Sequence, residues 1–320
     1  MGERHIHQII NKFPERIKEA YKIKVKKLDV KPKKIILVGM GGCYNAGLIL
    51  KEILRDELGI PLEVSPGYSG RFSSLKKSSL IILVSYSGNT QEVIKFYNKL
   101  ISENIKHNIL VITSGGELLD LCKKNKTRLI ELKSDLHQRF TFPYYFFALY
   151  KFFDLNFLSG TKELIVRDII GVLKRNKEKI ENSARNLAGK FRFKNPLVYG
   201  TNYYYPGCYR MQTSIEEDAK VVVHSNRITE LFHNELEAIP ASRFYPILVL
   251  DRQEANEFDS QIHYFRDRIK DYYEFDFYNY HREERMFLFI YFADYLGFYI
   301  SKIKKTNMGK TPVSDEIKRQ

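Results

Sequence analysis

The hexapeptide Ser85-Tyr86-Ser87-Gly88-Asn89-Thr90 holds three small hydroxyls and a glycine between an aliphatic run ending at Val84 and a helical pattern containing Val93, Ile94 and Tyr97. Its chemistry is phosphate binding. A phosphate monoester needs several donors on one side and little steric bulk, and a strand-to-helix turn adds the free N–H groups of a helix start. Alone, Ser87 or Thr90 would cap the helix and nothing more. The whole hexapeptide at a strand's carboxyl end says more than either residue. Gly39-Met40-Gly41-Gly42 follows another aliphatic run, and its glycines let backbone approach a ligand where a side chain would intrude. A dinucleotide fingerprint requires a third glycine in register, where Tyr44 stands, so nicotinamide and flavin cofactors are rejected.

Both loops need a sheet to hold them. Ile35-Ile36-Leu37-Val38, Leu80–Val84 and Asn108–Thr113 are continuous apolar runs of the kind buried on both faces of a parallel sheet. Helical patterns at Asn45–Leu58, Thr90–Ile101 and Glu117–Lys124 separate them, and a weaker strand pattern covers Arg128–Leu132. Alternation of this kind predicts an α/β fold with a doubly wound, mainly parallel sheet flanked by helices. A long polar helix at about Lys162–Lys190 leads to a second start at Pro196-Leu197-Val198-Tyr199-Gly200. Val38-Gly39 then answers Tyr199-Gly200, and Leu62-Glu63-Val64 answers Val221-Val222-Val223, a repeat of about 160 residues. Strands at Pro246–Leu250 and Glu274–Tyr278, a helix from Gln253 and an apolar helix Glu283–Lys302 complete the second half. The expected division is 1–155, with a leading amphipathic helix, and 156–320, with the connector helix and the tail.

The composition, 44% hydrophobic and 28% charged, is that of a folded soluble chain. An excess of 52 Lys+Arg over 38 Asp+Glu suits anionic partners. No basic tract interleaved with aromatics and no DNA-reading helix pair accompanies it, so nucleic acid is not expected. The longest apolar stretch, Met286–Ile300, is interrupted by Asp294, and a membrane span is not expected either. Cys43, Cys122 and Cys208 are widely spaced without a C-x-x-C pair, and His5, His7, His224 and His233 lack metal-ligand spacing. The expectation is a cytoplasmic protein with no metal and no cofactor.

Gly39-Met40-Gly41-Gly42, the Ser85–Thr90 hexapeptide, Glu217-Asp218-Ala219-Lys220, Glu230-Leu231-Phe232-His233-Asn234-Glu235 and Thr311-Pro312-Val313 together resemble the bifunctional phosphoglucose/phosphomannose isomerases. Those enzymes are built from two sugar-isomerase (SIS) domains, and the resemblance runs through most of the chain in order. It implies an aldose–ketose isomerase that interconverts glucose 6-phosphate, with mannose 6-phosphate as a second substrate, and fructose 6-phosphate. The reaction moves a proton between C2 and C1 through an enediol, which one carboxylate can do. Glu217 is the candidate base. Resemblance puts Arg139 beside the enediolate oxygens, Ser85, Ser87 and Thr90 on the phosphate, and Gly41 and Gly42 beside the sugar. Histidine is the side chain type whose ordinary range lies nearest neutrality, and His233 suits ring opening. In this fold the equivalent histidine reaches the partner's site, implying a homodimer, and Lys310 shares the ring-opening step.

Cys43 departs from the family by standing where a serine follows the two glycines, which costs one hydroxyl donor and bears on substrate range. Thr141–Phe147 is unusually aromatic, as core packing or subunit contact would require. Two rival readings share the fold. A non-catalytic sugar-phosphate sensor would usually carry a helix-turn-helix, and an amino-sugar-phosphate isomerase would lack the Glu217 and His233 pair.

Overall fold

The computed structural model describes residues 2–67, 78–105, 108–133, 136–239 and 243–317. It divides into two compact units. One, the five-stranded unit, comprises Phe13–Arg167 with Pro312–Gln320; the other, the four-stranded unit, comprises Met1–Lys12 with Asp168–Thr311.

In the five-stranded unit the strands β1 (Lys34–Gly39), β2 (Leu62–Pro66), β3 (Ser79–Val84), β4 (Ile109–Thr113) and β5 (Arg128–Glu131) form one parallel sheet in the order β2-β1-β3-β4-β5. Every residue of β3 and β4 is buried, because helices cover both faces. One face packs Ile36, Val38, Ile81 and Leu83 against Val93, Tyr97 and Leu118 of the helices Gln91–Ser102 and Gly116–Asn125. The aromatic stretch opens the helix Phe142–Phe157, which packs on the helices Gly42–Ile53 and Phe13–Ala20 with Phe142, Phe146 and Phe147 fully enclosed. The chain leaves β1 toward β2 and returns to β3 on the other side. That reversal opens a crevice between the carboxyl ends of β1 and β3, the usual ligand position in open α/β sheets.

The four-stranded unit repeats the plan. Its strands β6 (Asn195–Gly200), β7 (His224–Arg227), β8 (Phe244–Val249) and β9 (Tyr273–Glu274) are parallel in the order β7-β6-β8-β9, the order of β2-β1-β3-β4. The strand answering β2 is therefore His224–Arg227 and not Val221–Val223, where Val222 is 75% exposed.

Beneath this sheet the helix Arg282–Lys304 is long and apolar enough to cross a membrane by length and composition, yet most of it is enclosed by protein. It lies against the helix Tyr205–Ala219. Close approach is needed at both ends: a Cβ on Gly207 would meet Met286 Sδ at 2.9 Å, and one on Gly297 would meet Asp218 Oδ2 at 3.0 Å. Asp294 is paired with Arg210 at 3.0 Å, with side chains 7% and 5% exposed.

Two boundaries differ from the sequence expectation. The leading helix Glu3–Asn11 belongs to the four-stranded unit, because its stripe Ile6, Ile9 and Ile10 is buried beside the helix Arg282–Lys304. Tyr295 donates to Asn11 Oδ1 at 2.6 Å and His7 pairs with Glu181 at 2.8 Å. Residues 156–167 stay with the five-stranded unit, tied by Lys162 N to Asp154 Oδ1 at 3.1 Å and by a Lys162–Glu57 ion pair.

Candidate functional site

At the β1/β3 crevice the helices Gly42–Ile53 and Gln91–Ser102 begin, so the positive ends of two helix dipoles lie where an anion would sit. Gly41 has φ +52° and ψ −123°, a conformation open to glycine alone, and a Cβ on Gly42 would stand 2.6 Å from the Tyr145 hydroxyl. Ser85 is buried at the end of β3, with its Oγ 2.8 Å from Thr90 Oγ1 and accepting from Gly88 N at 3.2 Å. Ser87 Oγ accepts from Asn89 N at 3.3 Å. Thr90 is the N-cap of the second helix but makes no side-chain cap bond, its hydroxyl having turned to Ser85.

The loop after β4 braces this hexapeptide. Ser114 donates to Tyr86 O from both Oγ, at 2.7 Å, and N, at 3.0 Å, while Leu118 N donates to Gly88 O at 2.9 Å. Asn89 Oδ1 accepts from Glu117 N at 3.1 Å. A Cβ on Gly88 would fall 1.7 Å from Gly115 O, and one on Gly116 would fall 2.4 Å from Ser87 O. The hexapeptide is thus braced by the turn Ser114–Leu118, where Gly115-Gly116 allows the close approach.

Cys43 lies beneath the crevice, 4% exposed. Burial pushes its thiol up to about 11, against a hydrogen bond from the Tyr86 backbone that pulls the other way. Arg139 is also buried, in the turn Gln138–Phe140, where its N–H donates to His137 Nδ1 at 3.4 Å and its guanidinium lies 5.9 Å from the Phe140 ring centre.

The corresponding β6/β8 crevice is filled by the protein itself. Asp251 caps the helix Arg252–Asn256 by accepting from Gln253 N and Glu254 N, so a carboxylate already occupies the anion position. Arg282 pairs with Asp251 at 2.9 Å and with Glu254 at 3.2 Å, and Arg285 stacks between Tyr204 and Tyr278. The four-stranded unit offers other groups instead.

Glu217 is exposed near the carboxyl end of the helix Tyr205–Ala219. Its neighbour Glu216 is turned away, its Oε1 accepting from Gln212 Nε2 at 3.2 Å and Val223 N at 3.4 Å. Of the acidic trio, Asp218 is fully buried, which leaves Glu217 as the solvent-facing carboxylate. Lys310, also exposed, lies on the tail after the helix Arg282–Lys304, and Lys220 Nζ hydrogen-bonds both the Glu217 carbonyl and, at 2.7 Å, the Lys310 carbonyl.

His233 is exposed in an irregular helical stretch whose central turn, Leu231–Glu235, is π-helical. It lines an open cleft of about 340 Å³ with Phe232, Asn234, Gln261 and Tyr264, and neither Glu217 nor Lys310 is among that cleft's described lining residues. Glu235, two residues on, turns inward. It accepts from Tyr199 Oη at 2.6 Å and Asn226 Nδ2 at 2.7 Å and contacts His224 Nε2 at 2.9 Å. Burial works to raise its pKa, but these three bonds outweigh it and hold the carboxyl below its ordinary value. Among the described residues no group of three or more His, Cys, Asp or Glu could hold a metal ion.

The SIS domain family matches residues 30–139, and the bacterial phospho-glucose isomerase C-terminal SIS domain matches residues 180–320. A bifunctional phosphoglucose/phosphomannose isomerase of Caldicellulosiruptor bescii is 27% identical over 94% of both chains. A D-glucosamine-6-phosphate 4-epimerase of Sulfolobus acidocaldarius is 28% identical over 68% of each. Among solved structures, a Clostridium difficile protein assigned as a phosphosugar isomerase superimposes with a TM-score of 0.75 over 98% of this chain and 97% of that one, at 16% identity.

Proposed function

The chain belongs to the SIS-domain proteins, its second domain being of the bacterial phospho-glucose isomerase C-terminal type, and from that premise we propose that it is an aldose–ketose isomerase of hexose 6-phosphates. Glucose 6-phosphate and mannose 6-phosphate are the proposed aldoses and fructose 6-phosphate the ketose. The observation that carries this reading is the bifunctional relative matched over 94% of both chains.

The Ser85–Thr90 loop, with Gly41 and Gly42, supplies donors and room for the phosphate and sugar. Glu217 takes the C2 proton of the open-chain aldose, which leaves an enediolate with its charge on the C1 oxygen, and returns the proton to C1 once the C2 hydroxyl proton has passed to that oxygen. The enediolate between these steps carries negative charge that the Arg139 guanidinium would stabilise. Ring forms must first open: His233 protonates the ring oxygen as the C1 hydroxyl proton leaves, with Lys310 sharing this step. Nothing in the sequence of proton transfers calls for a metal. His233 is proposed to act in a partner's site, as the family resemblance implies, and hence in a homodimer; a cytoplasmic location is part of the same proposal.

The test follows fructose 6-phosphate formation from each aldose with EDTA present. Turnover of both, lost in Glu217→Gln, is the expected result, and no turnover by folded protein would overturn the reading. Mixing Glu217→Gln with His233→Ala chains should restore activity in heterodimers, whereas confirmed subunit exchange without recovery would remove the composite site. The amino-sugar relative favours a second reading, in which glucosamine 6-phosphate is the substrate. Conversion of that compound in place of glucose 6-phosphate would select it.

A further inference from the structure

Lys220 has no part in the proton transfers above, yet it touches two of the residues assigned to them. It ends the helix Tyr205–Ala219 with φ 55° and ψ 35°, a left-handed conformation for which glycine is the usual occupant. A lysine there gives up backbone ease, and its ammonium shows the return. The last carbonyls of a helix lack intrahelical partners and attract a cation. Lys220 Nζ hydrogen-bonds the Glu217 carbonyl and reaches across to the Lys310 carbonyl at 2.7 Å.

The tail that carries Lys310 is also bonded to this helix end by Thr306 Oγ1 to Asp218 O at 3.0 Å, and it buries Met308. Those contacts fix the start and middle of the segment. Lys310 itself makes a local bond from its N–H to Asn307 O at 3.3 Å, which sets a turn without attaching it to the helix. The Lys220 ammonium is the described bond that joins Lys310 to the helix bearing Glu217.

We propose that Lys220 is a positioning residue that holds Lys310 at the Glu217 end of the helix, so that the ring-opening and isomerising groups keep a fixed relation. The inference rests on the isomerase reading for its effect on rate, but the tether itself does not. Loss of the ammonium frees the end of the tail while the phosphate loop in the other unit is untouched. The signature is a fall in kcat with little change in KM.

Lys220→Gly is the informative variant, because glycine favours the left-handed backbone and keeps the helix end intact. The expected result is an unchanged or slightly higher Tm, faster amide hydrogen exchange across residues 306–310, and kcat lower by about tenfold with KM within about twofold. Lys220→Arg, which restores a cation that can span both carbonyls, should recover most of the rate. Wild-type exchange across 306–310 in Lys220→Gly would overturn the tether, and faster exchange with unchanged kcat would overturn its role in catalysis. If the wild-type chain isomerises neither aldose, the functional reading falls and the exchange measurement alone decides the tether.

Discussion

The Tyr199 hydroxyl, on a strand residue with no solvent exposure, donates to Glu235 Oε2 at 2.6 Å. This bond sets which way the π-helical turn faces. A π turn carries about one more residue than an α turn, so the α-helical spacing of inward side chains does not carry through it. Tyr199, Asn226 and His224 fix the turn by holding Glu235, and His233 is left outward in its cleft.

Glu235→Gln should therefore cost about 1–3 kcal/mol at neutral pH, because the new amide places a donor against one of the donors Glu235 now satisfies. The sign of the pH dependence follows from a folded-state pKa held below the ordinary 4.5. The carboxylate's contribution is complete above that value and is lost as pH falls through the folded one. Urea unfolding of wild type and variant should show a gap that is constant from pH 6 to 8 and narrows below about pH 4.5. A gap that persisted in acid would mean that packing, and not the charge, carries the effect.

Arg210 and Asp294 join the two long helices of the four-stranded unit through a buried ion pair. Removing one member takes a buried counter-charge from the other, whereas removing both takes the pair out together. Asp294→Ala should lower stability by about 3–5 kcal/mol, and Arg210→Met combined with Asp294→Leu should recover most of it. Urea midpoints decide the matter; a double variant as weak as the single one would show that Asp294 acts through other neighbours.

The same aspartate shows how much of this fold could be read from the chain alone. In the sequence it marked the stretch Met286–Ile300 as unsuited to a bilayer, but its partner Arg210 is visible only once the helices pack. Strands β1 and β3 were legible because burial on both faces demands unbroken Ile, Leu and Val. Strand β7 was not, because His224-Ser225-Asn226-Arg227 lies at an edge and carries polar side chains, while the apolar Val221–Val223 beside it drew the assignment. The amphipathic pattern of the leading helix was plain, but an apolar stripe does not name the surface that covers it. Within the candidate site, the hexapeptide announced itself by composition. Its brace by the Ser114–Leu118 turn, the inward Glu235 and the Lys220 link join residues distant in sequence, for which local pattern carries no signal.

Gly42 opens the helix at the crevice, and the Tyr145 hydroxyl lies where its side chain would be. Gly42→Ala must displace either the loop or the ring, so KM for the sugar phosphate should rise by about tenfold, equivalent to ~1.4 kcal/mol. With the hydroxyl removed, the next nearest atom is Tyr145 Cζ at 3.6 Å, an ordinary contact. Adding Tyr145→Phe to Gly42→Ala should restore KM to that of Tyr145→Phe alone. Independent, additive effects of the two changes would rule out this contact as the cause.

Cys43 sits just inside a helix start, where the N-terminal dipole favours a thiolate, and such thiols are often reactive. Burial opposes this and wins, raising the thiol to about 11. At pH 8 roughly one molecule in a thousand would then carry the thiolate, and the sulfur is enclosed besides. Burial also lifts Cys122, to about 12, and Cys208, and the three are 4%, 1% and 0% exposed. Ellman's reagent at pH 8 should find no rapidly reacting thiol in the native protein and three after denaturation. Iodoacetamide under native conditions should leave turnover unchanged. Rapid native labelling of Cys43 alone would show that the Gly42 helix start opens in solution, and a bound sugar phosphate should then slow the labelling by closing it.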